Sequence, residues 1–359
     1  MDLTLSNPTQ CSFEYSPLIL DAMKDPRNLI YEPHSLGHPE ARKAVADYLG
    51  SKGQKIDPGN LILTSSTSEA YSFLFKLFGN PGDSFLVPHP GYPLFDHLLE
   101  LEALKPLPYL LRSEPGWPVD LNSIQKAVQP GCKGLIVINP HNPNGHFLPV
   151  MEEKALQEIC CQHGLAYISD EVFSDFDYSG HVPVPSNPKT LVFRLGGISK
   201  CLGLPQMKLS WIRMEGPSEL LGKCKERLEL IADTYLSVNV PVQMALENWL
   251  KSASSFQRQL KNRVQENYRL LEKMFTGRKG VKVWALHAGW YALLEITSDG
   301  VTEEEVVLEL LEKHKIFVQP GAFYDFSTGK YLVLSLILES GSFQEGLKRL
   351  KNGLTALGL

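Results

Sequence analysis

The chain has no apolar run approaching the roughly 18 to 20 residues that a membrane helix needs. Its opening, Met1-Asp2-Leu3-Thr4, lacks the basic head and apolar stretch of a secretory leader. Neither membrane insertion nor export is expected. Excess positive charge is also missing: 35 Lys and Arg stand against 40 Asp and Glu, for a net charge of −5. Neutralising a line of phosphates needs a basic face, so nucleic acid is not an expected partner. Cysteine is sparse, and the spacing of Cys11, Cys132, Cys160, Cys161, Cys201 and Cys224 fits neither a zinc site nor a disulfide framework. No metal is expected, and a reducing cytoplasm is the expected compartment. Internal repeats and low-complexity tracts are absent.

What is present describes a folded protein. Apolar residues make up 43% and charged residues 21% of the 359, the balance of a globular chain. At roughly 150 residues per domain, about two domains are expected. Twenty-eight glycines and 25 prolines predict short, numerous elements.

Helix-spaced apolar residues alternate with short apolar strands through the first two thirds of the chain. Pro39 to Leu49 reads as a helix. Leu61 to Thr64 reads as a strand, followed by a helix that Ser65 or Ser66 caps, with Glu69 closing a capping box from Ser66. Strands are predicted at 84–88, 134–139, 165–170 and 190–194, with helices at 92–101 and 151–163. Such alternation means an α/β unit, a mostly parallel mixed sheet between helices. Beyond Pro241 come a long amphipathic helix (255–275), strand-like stretches at 290–296, 316–318 and 331–338, and helices at 302–314 and the C-terminus. These form a smaller α+β unit. The expected division is an arm over 1–35, a large domain over 36–240 and a small C-terminal domain over 241–359.

Sites in parallel sheets gather beyond the carboxyl ends of the strands, and four polar clusters fall at such ends. Ser66-Thr67-Ser68 opens a helix and is either an ordinary cap or an anion cradle. Asn139-Pro140-His141-Asn142-Pro143-Asn144-Gly145 is either a turn or a device that aims Asn142 at a ligand. Asp170 closes an apolar strand as a cap or as the partner of a cationic nitrogen. Lys200 lies among Gly196, Gly197, Ile198, Cys201 and Leu202. It is either a solvated loop lysine or a sheltered amine with a depressed pKa. Together, and with Tyr92 as a flat ring to stack, they suit one cofactor, pyridoxal 5'-phosphate. That group needs an anion cradle, a carboxylate for its ring nitrogen, a hydrogen bond to its ring oxygen and a Schiff-base lysine.

In this order and spacing the chain resembles the fold-type I pyridoxal phosphate aminotransferases, class I/II, from Tyr31 to the C-terminus. Gly37 to Arg42 resembles the family's G-x-x-E-x-R, Asn139 to Gly145 its N-P-x-N-P-T-G, Asp170-Glu171 its D-E, and Ser199 to Pro205 its S-K-x-x-G-L-P. The resemblance implies that Lys200 carries the cofactor and shuttles a proton. It implies further that Asp170 holds the ring nitrogen protonated, that Asn142 binds the ring oxygen, and that Ser66, Thr67 and Ser68 bind phosphate. Tyr31 would reach the phosphate of a neighbouring subunit in a homodimer with shared sites. The activity implied is transfer of an amino group from an amino acid to a 2-oxo acid. Other fates of the same carbanion (a lyase, decarboxylase or synthase) and a non-catalytic pyridoxal phosphate-binding regulator are the alternatives.

Several positions depart from that pattern. Lys208 stands where the family has a phosphate-gripping arginine, Gly197 where it has a serine, and Phe173 where it has a tyrosine. The arginine that forks the substrate carboxylate is replaced by Val333, and no arginine lies between Lys330 and Lys348. Lys330 and Arg213 are the remaining cations considered for that task. Trp290, Tyr291, Phe323, Tyr324 and Phe326 are candidate pocket aromatics.

Overall fold

In a computed structural model, which describes every residue except position 237, seven strands form the main sheet. They are β1 (Leu61–Thr64), β2 (Ser84–His89), β3 (Lys105–Leu110), β4 (Cys132–Ile138), β5 (Ala166–Asp170), β6 (Val192–Gly197) and β7 (Ser210–Glu215). Their spatial order is β1-β7-β6-β5-β4-β2-β3. Strand β7 runs antiparallel to both neighbours, and every other pairing is parallel. The chain therefore forms the mixed, mostly parallel α/β sheet that the alternation implied.

Side chains alternate between the faces of a strand. Ile136, Ile168 and Phe193 face the helices Thr67–Phe78 and Ser218–Tyr235. Leu135, Val137 and Tyr167 face Leu121–Ala127 and Val150–His163. Burial on both faces explains why β1 and β5 are apolar runs rather than alternating ones. The edge strand β3 was not anticipated. Pro106 and Pro108 mask it, since proline cannot donate to an inner ladder but is tolerated at an edge. Strand β7 was also missed, because Arg213 and Glu215 interrupt its apolar pattern.

A second sheet follows, built from β8 (Val281–Val283), β9 (Tyr291–Ile296), β10 (Gln319–Pro320) and β11 (Tyr331–Ser335) in the order β10-β11-β9-β8, all antiparallel. Helices Ala253–Phe275 and Ser340–Ala356 cover it through Phe256, Leu260, Val264, Leu347 and Leu350. Ile316 to Val318 is not a strand. It forms a single bridge, Phe317 to Asp2, which lets the arm enter. Leu3 is fully buried there, donating its N–H to Phe317 O (2.9 Å) and accepting from Ser335 N–H (2.7 Å). Helix Val240–Lys251 packs instead on Pro39–Gly50, with Trp249 buried beside Leu61 and Trp211.

The buried Arg194 of β6 fixes the end of the sheet near Asp170. Its guanidinium pairs with Glu171 and with Glu153 (3.1 Å) and donates to Val184 O (3.1 Å). Removing one member of such a group leaves buried charge uncompensated. Arg194→Met is therefore expected to cost about 3–5 kcal/mol of stability. Chemical denaturation measures this, and a loss under ~1 kcal/mol would contradict it.

Candidate active site

The carboxyl ends of β4, β5 and β6 converge with the N-terminus of helix Thr67–Phe78 on a cavity of about 320 Å³. Sequence-predicted residues lining it are Thr67, Tyr92, Asn142, Asp170 and Lys200. Ser66, Ser68, Lys208 and Tyr31 are not among its lining residues. Ser66 caps the helix, accepting from Glu69 N–H (3.1 Å). The expected capping box does not close on Ser66: the Glu69 carboxylate accepts from Ser65 N–H instead (2.6 Å). Lys208 is exposed in the left-handed backbone region, at φ 53°. Tyr31 is 78% exposed.

Asp170 ends β5, paired in register with Ile138 on one side and Leu195 on the other. Its carboxylate accepts from Tyr71 OH (3.1 Å) and from Val172 N–H (3.1 Å). Thr67 and Tyr71 lie four apart on one helix, so both face the same side. Burial pushes the Asp170 carboxyl up to about 6, because the charged form loses its water. The two donors, and to a smaller degree the Lys200 ammonium, oppose that shift. The carboxylate is thus ionised at neutral pH and gains a proton as pH falls through about 6.

Lys200 sits on the short helix Ile198–Cys201 that follows β6. Its Nζ lies 4.9 Å from the centre of the Trp290 ring and 5.5 Å from that of Phe173. Burial lowers its amine to about 8, with Asp170 pulling the other way. About a tenth of such an amine is neutral at pH 7. Gly203 makes the following turn at φ 63°, where a Cβ would come within 2.2 Å of Phe256. Only glycine fits so close an approach in that backbone region.

The asparagine-rich turn divides its labour. Asn139 is structural: its Oδ1 accepts from Leu148 N–H (3.0 Å) and its Nδ2 donates to Glu153. Gly145, at φ 71°, closes against Ala288 O. Asn142 faces the cavity, and its buried Oδ1 has no protein partner. Ser6 and Ser210, which the sequence does not mark, complete the walls, and Tyr71 stands behind Asp170. Ser6 accepts from Trp290 Nε1 (2.8 Å) and shares a 2.6 Å hydrogen bond with Tyr291 OH. Tyr71 and Ser210 were missed as well; no local pattern marks any of the three. Of the candidate aromatics, Tyr291 lines the cavity and Trp290 backs it. Phe323 is exposed, Tyr324 bonds Gln319, and Phe326 packs on Trp117 and Tyr331. Val333 is buried between Leu293 and Gln319 in the sheet. Neither cation considered for the carboxylate lines the cavity. Arg213 pairs with Glu215, and Lys330 donates to the carbonyls of Ser298 and Val301.

A family model, aminotransferase class I and II, matches residues 14–331. The chain belongs to that family. It is similar to the glutamate-pyruvate aminotransferase AlaA of Escherichia coli, at 24% identity over 91% of this chain and 83% of that protein. It also resembles the tyrosine aminotransferase of Dictyostelium discoideum, at 25% identity over 86% of this chain and 76% of that one. Its fold matches an alanine aminotransferase from Pyrococcus furiosus with a TM-score of 0.91 at 23% identity, covering 99% of this chain and 92% of that one. The protein is thus a pyridoxal phosphate-dependent aminotransferase. The cavity fits that cofactor: it holds the Asn142 amide, whose buried Oδ1 has no partner among the described residues, a buried carboxylate at Asp170, an amine of lowered pKa and a helix N-terminus.

An amine attacks a carbonyl only in its neutral form, so the reactivity of Lys200 toward an aldehyde should rise with pH and level off once the proton is gone. Modification of Lys200 by a small aldehyde with reductant, followed by peptide mass spectrometry on cofactor-free protein, is expected to show a midpoint near pH 8. A midpoint near that of a free lysine would refute the sheltered site.

Proposed function

We propose that Lys200 and Asp170 form the catalytic pair and that Thr67, Tyr92 and Asn142 hold the cofactor. The convergence of these five residues, from separate segments, on one cavity carries the reading. Pyridoxal phosphate, when bound, supplies an electron sink for charge left at the substrate Cα. Asp170, ionised at neutral pH, holds a proton on the ring nitrogen. Lys200 provides the anchoring amine and then takes and returns the Cα proton. Asn142 orients the ring oxygen and Tyr92 covers the ring face. Ser66, Thr67 and Ser68 receive phosphate at the helix start, where backbone N–H groups are free. The Ser66 hydroxyl can accept from Glu69 N–H and still donate. Lys208, and Tyr31 from a second copy of the chain, add to that end of the site.

The substrates are an amino acid and a 2-oxo acid. Lys200 is the one cation among the described residues lining the cavity, whereas Val172, Phe173 and Tyr291 supply apolar walls. An uncharged donor side chain therefore suits this protomer better than a second carboxylate. Wild-type protein is expected to transfer the amino group of such a donor to a 2-oxo acid. Lys200→Ala should lower the rate by at least about 10²–10⁴-fold with the fold intact by circular dichroism. Retained transfer would remove Lys200 from its role, and a marked preference for aspartate would overturn the donor class.

Exposed apolar side chains support a homodimer. Leu18, Leu20, Leu29, Ile30 and Tyr31 are all more than half exposed. Large apolar side chains concentrated on one exposed segment favour an interface there. The six free thiols suit a reducing cytoplasm. Light scattering is expected to give twice the chain mass, with the protein recovered in the cytoplasmic fraction; a monomer, or recovery elsewhere, would refute the respective statement. The division into 1–35, 36–240 and 241–359 is also proposed.

A further inference from the structure

Ser210 opens β7 with Gly197 of β6 facing it on one side and Thr64 of β1 on the other. Cross-strand partners point to the same face of a sheet. That row leads directly into Ser65, Ser66 and the helix that starts at Thr67. Ser210 is 2% exposed, lines the cavity together with Gly197 and Thr67, and makes no side-chain hydrogen bond among the described residues. With no partner among those residues, the hydroxyl is left free to bond a guest in the cavity that Ser210 lines.

Gly197 supplies the second observation. Its φ of 177° is ordinary extended backbone, open to any residue. What forbids a side chain there is Ser210: a Cβ on Gly197 would lie 2.3 Å from Ser210 Oγ and 3.0 Å from its Cβ. The Gly197–Ser210 pair thus has room for one hydroxyl at this end of the cavity, and it comes from β7, while the Thr64 hydroxyl farther along the row is spent on Ser66 O (3.0 Å).

We propose that Ser210 donates a hydrogen bond to the phosphate end of the cofactor and is a binding residue of this site. The inference rests on the cavity's being the cofactor site. A hydroxyl is a good donor to a phosphate dianion, and charge-assisted bonds of this kind are stronger than neutral ones.

The test compares purified holoenzyme of wild type, Ser210→Ala, and the swap Gly197→Ser with Ser210→Gly. Cofactor retained after dialysis against inorganic phosphate is measured, together with the ³¹P resonance of the bound phosphate ester. Ser210→Ala is expected to release pyridoxal phosphate about 10- to 100-fold more readily and to shift the resonance. Its affinity for pyridoxal, which lacks the phosphate, should stay as in wild type. The swap returns one hydroxyl to the row and should restore retention. Equal retention and an unmoved resonance in Ser210→Ala overturn the proposal, as does an equal loss of affinity for pyridoxal. A wild type that retains no pyridoxal phosphate overturns instead the reading of the cavity on which this one stands.

Discussion

The site depends on one electrostatic arrangement: a carboxylate and an amine, Asp170 and Lys200, both withdrawn from water and both kept close to neutral pH in their titration. Burial pushes Asp170 toward its neutral form. The Tyr71 hydroxyl and the Val172 N–H favour its charged form and bring it back to about 6. Burial alone also lowers Lys200, and the nearby negative charge restrains that fall at about 8. Each group is thereby held in the protonation state that its proposed task needs: a charge to oppose a ring cation, and an amine that is neutral often enough to attack and to carry a proton.

The fold makes this possible by ending several parallel strands at one place. Asp170 and Lys200 sit at or just beyond the ends of β5 and β6, and the first turn of helix Thr67–Phe78 brings Thr67 and Tyr71 to the same spot. The Arg194 group beneath, with Glu153 and Glu171, keeps the Asp170–Glu171 turn in place from the opposite side of the sheet end. The second sheet and the arm close the cavity. Trp290 and Tyr291 reach in at β9, and Ser6 ties both together with hydrogen bonds that cross most of the chain length.

Departures from the family pattern take on physical meaning in that setting. Gly197 is not simply a lost hydroxyl, because the space a side chain would take is filled by Ser210 from the neighbouring strand. Val333 is part of a sheet interior, and the cations nearest in sequence or pattern are engaged elsewhere. This protomer therefore presents a site of low positive charge, in which hydroxyls and aromatic rings do more of the shaping than ion pairs.

Local pattern was enough to determine the α/β alternation and the polar residues at strand ends, because each depends on neighbours within a few residues. Strands β3 and β7 escaped notice, since prolines in one and charges in the other break the period that marks a strand. Which asparagine of the turn is free, that Ser6 and Ser210 line the cavity while Tyr71 bonds Asp170 behind it, and that Phe323 does not reach it, were decided only in three dimensions. Those outcomes depend on contacts between segments far apart in the chain, and a hydroxyl's partner across a sheet leaves no trace in the residues beside it.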